Sequence, residues 1–110
     1  MISLDRIIEA HKKIAPHVNY TPLVYSDFLS QNRTVKLKLE SLQITGSFKL
    51  RGAVNKLLSL SEEQKNKGVV ACSTGNHGKG VAYAANVLGI KSTIYMSTMV
   101  PQYRKEAIEA

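Results

Sequence analysis

Val69-Val70-Ala71-Cys72 is a short apolar run, and Ser92-Thr93-Ile94-Tyr95-Met96 is a second β-prone run. Between them, residues 77–88 carry a helical pattern that Gly89 closes. Strands that flank a helix in this way imply parallel pairing with a right-handed crossover. The class is therefore α/β. Upstream, a loop over 41–46 leads to Ser47, a plausible N-cap. The helix expected over 48–60 places Leu50, Ala53, Val54, Leu57 and Leu58 on its buried side. Lys65-Asn66-Lys67-Gly68 reads as a turn into the first strand of the unit. Downstream, Pro101 suits the first turn of a last helix that runs through Ala107 and Ile108.

The amino-terminal stretch reads less regularly. Ser3 can cap a helix with Leu4, Ile7, Ile8, His11 and Ile14 along one side. Asp5 in its first turn and Lys12-Lys13 in its last suit the helix dipole, and Pro16 stops it. Pro22 keeps Thr21 extended. Residues 34–40 alternate with period two, so Val35, Leu37 and Leu39 are expected to face inward. Residues 1–44 are assigned to a larger α/β domain, and 45–110 to a small, parallel, three-layer domain.

A chain of 110 residues with 44% hydrophobic content can bury a real core. The formal net charge of +7 invites a nucleic-acid reading. The basic residues are dispersed, however, with Lys12-Lys13 and Arg104-Lys105 the longest runs, so no nucleic-acid partner is expected. Cys72 is the only cysteine, which excludes an internal disulfide, and it reads as a buried core thiol. His11 has no His or Cys at ligand spacing, and no metal site is expected. The absence of a signal peptide and of a membrane-length apolar run points to a cytoplasmic protein.

Two segments carry chemistry. In Thr45-Gly46-Ser47-Phe48-Lys49-Leu50-Arg51-Gly52, a lysine stands just inside a helix start. The positive end of a helix disfavours a protonated amine, which helps supply the neutral form that attacks a carbonyl. Gly52 leaves room for a bulky planar group. A surface lysine beside a packing glycine is the competing reading. In Cys72-Ser73-Thr74-Gly75-Asn76-His77-Gly78-Lys79-Gly80, a strand passes into a helix whose free N–H groups attract anions such as a carboxylate. The spacing of Gly75, Gly78 and Gly80 fits neither a dinucleotide fingerprint nor a P-loop. A polar turn that merely caps a helix remains open.

Together, Ser-Phe-Lys-Leu-Arg-Gly-Ala at 47–53 and Ser-Thr-Gly-Asn-His-Gly at 73–78 resemble the threonine dehydratase and serine racemase family. These are pyridoxal-phosphate enzymes of the tryptophan-synthase β-type fold. Tyr20-Thr21-Pro22-Leu23, Lys38-Leu39-Glu40-Ser41-Leu42-Gln43 and Val81-Ala82-Tyr83-Ala84-Ala85 fit the same family. The resemblance implies that Lys49 holds pyridoxal 5'-phosphate and moves the substrate α-proton. It places Phe48 beside the cofactor and Asn76 on its ring hydroxyl. Ser73, Thr74, Gly75, Asn76 and His77 would grip the substrate carboxylate. The implied reaction eliminates water from a small hydroxy-amino acid, giving a 2-keto acid and ammonia.

Thr74 stands where racemases of the family carry a serine for the opposite face, which counts against racemisation. Leu50 and His77 replace the acidic residue and the threonine of cysteine-synthase relatives, which counts against β-replacement. Met96-Ser97 stands where many relatives read Met-Pro. With Val100-Pro101 and Ala107-Ile108 it resembles the dehydratase branch of hydroxyectoine breakdown. The family's phosphate cup lies beyond Ala110, so these residues alone are expected to be a catalytically silent, truncated piece of a homo-oligomeric lyase. A non-catalytic interaction module is the alternative.

Overall fold

The computed structural model describes residues 1–109. The βαβ unit forms as expected. Strands β3 (Val69–Cys72) and β4 (Ser92–Tyr95) pair in parallel, with Val69 opposite Ser92 and Cys72 opposite Tyr95. Helix α4 (Asn76–Val87) connects them. Burial alternates along both strands: Val69, Ala71 and Ile94 pack on the core, while Val70, Thr93 and Tyr95 are exposed. Cys72 lies on the exposed side too, which corrects the core-thiol expectation: four residues of strand place it out of phase with Val69 and Ala71.

Helix α2 (Lys49–Leu58) packs on α4 and supplies the centre of the core. Leu50, Val54 and Leu57 are buried with Val81, Ala84 and Ala85 of α4, and burial stabilises by roughly 1.5–3 kcal/mol for each large side chain. Leu58, expected on the buried side, is half-buried at the edge of this cluster. The cap also differs from expectation. Phe48 holds the N-cap position with helical φ and ψ, and Ser47 Oγ accepts from the Lys49 N–H at 3.2 Å from one residue further back.

Lys65 to Lys67, expected within a turn, instead complete a short helix, α3 (Glu62–Lys67). A capping box starts it: Ser61 Oγ accepts from the Gln64 N–H, and Gln64 Oε1 accepts from the Ser61 N–H. Gly68 ends it at φ 80°, a conformation that side chains disfavour. Helix α5 (Gln102–Glu109) follows β4 and packs on α4.

The amino-terminal elements are α1 (Leu4–Ile14), β1 (Leu23–Tyr25) and β2 (Lys36–Lys38). Ser3 caps α1 as expected, its Oγ accepting from the Arg6 N–H. Of the apolar stripe only Ile14 is buried; Leu4, Ile7 and Ile8 are exposed. Strands β1 and β2 pair antiparallel as a two-stranded ribbon, and every residue of both is exposed. Leu37 therefore does not face a core, and Val35 and Leu39 are only half-buried. The period-two pattern marks a strand; what covers its apolar face is a separate, tertiary matter.

Candidate active site

The first turn of α2 is held on several sides. Leu50, fully buried, faces α4. The helices approach closely because α4 carries Gly80 at the contact: a β-carbon there would lie 3.3 Å from both Leu50 N and the Lys49 carbonyl carbon. Gly78 admits other neighbours of α4, since its β-carbon would press on Ile94, Ile108 and the Ser73 carbonyl. These two glycines thus admit protein rather than ligand. Gly52 and Gly75 differ. A β-carbon at either meets nothing within 4 Å.

Lys49 is exposed at the open end of α2, with Nζ 5.1 Å from the Phe48 ring centroid. Both line a groove of about 430 Å³, together with Gly52, Lys56, apolar residues of β3, and His77 from α4. That volume lies in the usual range for small-molecule pockets. The structure thus brings Phe48, Lys49 and His77 to one groove from two separate sequence segments. Asn76 begins α4, where free N–H groups face outward, and its side chain is exposed. Ser73, Thr74 and Gly75 form the loop before it and are half-buried, exposed and half-buried. Ser73 Oγ accepts from the Gly75 N–H at 3.3 Å, so its hydroxyl shapes the loop itself. Asn76 and the three loop residues line neither cavity described here.

A larger hollow of about 680 Å³ lies on another side of α4, lined by Thr45, Lys79, Asn86, Ile94, Met96 and Ile108 among others. None of the sequence-predicted site residues reaches it. Thr45, almost wholly buried, has no hydrogen-bond partner for its hydroxyl among the described residues.

Sequence reasoning assigned no role to the polar knot behind Lys49. Arg51 donates from Nε to Glu40 Oε2 at 2.9 Å and from Nη2 to Glu40 Oε1 at 2.8 Å. Nη2 also reaches the Asn19 carbonyl and Thr21 Oγ1, both at 3.2 Å. Thr21 donates its hydroxyl to Glu40, and Lys38 Nζ donates to the Thr21 carbonyl. Gln43 clasps Asn19 through both backbone groups, accepting from its N–H at 2.8 Å and donating to its carbonyl at 3.0 Å. The bond from Arg51 holds the Glu40 carboxyl below its usual range; partial burial opposes this, and Thr21 and Lys38 reinforce it. Glu40 in turn raises Arg51 above its ordinary value. The residue types were visible, but their spacing of 11 to 32 positions carries no local signal.

The chain belongs to the pyridoxal-phosphate dependent enzyme family, whose model matches residues 14–110. It is 50% identical to the catabolic L-threonine dehydratase TdcB of Staphylococcus aureus (strain USA300), over 97% of this chain and 32% of that protein. Among solved structures, the threonine deaminase of T.th. superposes with a TM-score of 0.84 at 44% identity, covering 98% of this chain and 34% of that one. Maize serine racemase superposes with a TM-score of 0.89 at 38% identity, covering 97% and 33%. The chain thus spans about a third of the length of the curated relatives it matches. The groove fits the family's cofactor on its own terms. It offers a lysine amine, an exposed aromatic face at Phe48, and open space above Gly52 for a flat ring. Among the described residues, no cluster of His, Cys, Asp or Glu could hold a metal ion, and no helix is long and apolar enough to cross a membrane.

Proposed function

We propose that this chain forms the lysine-bearing part of a cytoplasmic, homo-oligomeric threonine or serine dehydratase, which eliminates water from a small hydroxy-amino acid to give a 2-keto acid and ammonia. The observation that carries the reading is the placement of Lys49. It opens α2 at a groove shared with Phe48 and His77, beside the unfilled space at Gly52. When bound, pyridoxal phosphate supplies a ring that withdraws electrons from the substrate α-carbon.

The chain's own residues hold and orient. Lys49 carries the cofactor through its amine and moves the α-proton at Nζ. Phe48 would flank the ring, and Asn76 would donate to the ring hydroxyl. The loop of Ser73, Thr74 and Gly75, with Asn76 and His77, binds the substrate carboxylate at the free N–H groups of α4. Residues 1–44 belong to the larger domain and 45–110 to the small one.

Borohydride reduction of the cofactor-loaded full-length protein, followed by peptide mapping, is expected to place the adduct on Lys49. An adduct on Lys36, Lys38 or Lys56 would refute the assignment. Incubation with L-threonine or L-serine should release keto acid and ammonia. Turnover of O-acetylserine with sulfide, without keto acid, would favour β-replacement instead. A D-amino acid as the main product would favour a racemase, the activity named for the maize neighbour.

A further inference from the structure

We infer that Glu40 is a positioning residue for Lys49, acting through its two-pronged bond to Arg51. The inference rests on the reading of Lys49 given above. Lys49, Leu50 and Arg51 are consecutive in the first turn of α2. At about 100° per residue they project in three directions, with Arg51 roughly 200° around from Lys49. Leu50 is locked against α4 at Gly80. Arg51 reaches back to Glu40 at 2.8 and 2.9 Å, and to Thr21 and the Asn19 carbonyl. Lys49 alone faces the open groove.

A planar fork on a carboxylate fixes orientation as well as distance, which a point charge does not. The remainder of α2 is held by Ala53, Val54 and Leu57 in the apolar core, independently of Glu40. Loss of the fork should therefore loosen the first turn while leaving the helix body in place. Glu40 is anchored in its turn: it accepts from Thr21, and Lys38 approaches it from β2. Asn19 and Thr21 are fixed by Gln43 and Lys38. The charged groups that face Glu40 are thus Arg51 and Lys38.

The test uses the full-length, cofactor-loaded protein with Glu40→Gln, the milder Arg51→Lys, and the remote surface change Glu62→Gln as a control. Three quantities are read: adduct yield on Lys49 after brief borohydride treatment, its pH profile below neutrality, and amide hydrogen exchange along α2. Expected in both variants is at least a tenfold loss in the rate of cofactor uptake on Lys49. Exchange should quicken most at Lys49–Arg51, well beyond the uniform rise at Val54–Leu57 that a loss of global stability brings. In Glu40→Gln the fall in uptake below a pH of about 4.5 should flatten, because the group whose protonation there releases Arg51 is gone. Unchanged uptake and pH profile in both variants, with the parent adduct on Lys49, would overturn the role of Glu40 alone. An equal rise along the whole of α2, with no excess at its first turn, would overturn it in favour of a general stabilising pair. A parent adduct on another lysine would instead remove the reading beneath it.

Discussion

Gly80 of α4 stands directly against the backbone of Leu50 in α2, so close that a β-carbon on Gly80 would lie 3.3 Å from the Leu50 nitrogen. This contact joins the two segments that carry the chemistry. It sets the lysine-bearing turn beside the helix that begins at Asn76, and it explains why α4 keeps a helix-weakening residue at its centre.

Gly80→Ala should destabilise the protein. Alanine recovers about 1 kcal/mol of helix propensity, but overpacking against a backbone that cannot retreat costs about 1–3 kcal/mol. Leu50 behind that backbone is fully buried. Chemical denaturation should show a lowered midpoint with an unchanged slope. A midpoint at or above the parent value would mean that the helices part without cost.

Gly52→Ala should behave in the opposite way. The site is helical, its φ is not positive, and a β-carbon meets nothing within 4 Å. Without cofactor, stability should rise by about 0.4–1 kcal/mol. With cofactor, the added methyl group occupies space next to Lys49 and should weaken binding severalfold in a titration of the bound chromophore. Equal binding by both proteins would place the ring away from this glycine.

The Glu40–Arg51 pair should make stability depend on acid pH. The Glu40 pKa is lowered on folding, so the pair's contribution is fully present above the unfolded value of about 4.5. It is lost as pH falls through the lower, folded value. Arg51 is raised above an already high value and stays charged throughout this window. Both side chains are about one-fifth exposed, which moderates the gain. Glu40→Gln should cost about 1–3 kcal/mol at neutral pH and progressively less toward low pH. A cost independent of pH would assign it to shape rather than charge.

Gly68→Ala should be among the more damaging surface changes. The residue has φ 80° and ψ −177°, a region kept almost entirely for glycine, with a penalty of about 1–3 kcal/mol. Its β-carbon would also fall 2.7 Å from the Lys91 carbonyl oxygen, which accepts the Val69 N–H that opens β3. Ser61→Ala, at the other end of α3, removes one cap bond and should cost about 1 kcal/mol. Thermal melts of the two variants should rank in that order.

By itself the sequence determined the parallel βαβ unit, the start of α1 at Ser3, the core face of α2, and the family motifs around Lys49 and Asn76. The first three rest on short-range periods and caps, which operate over a few residues, and the motifs on resemblance to a known family. The capping box of Ser61 and Gln64 is equally local, and it lies just ahead of the residues 65–68 expected to turn. Only tertiary structure decided that Gly78 and Gly80 admit protein and Gly52 leaves a space. Only tertiary structure joined Glu40, Thr21 and Arg51 behind the lysine, and left Leu37 and Cys72 exposed. The reason is physical: a side chain's pattern says which way it points, whereas its burial and partners depend on what the chain brings opposite from far away in sequence.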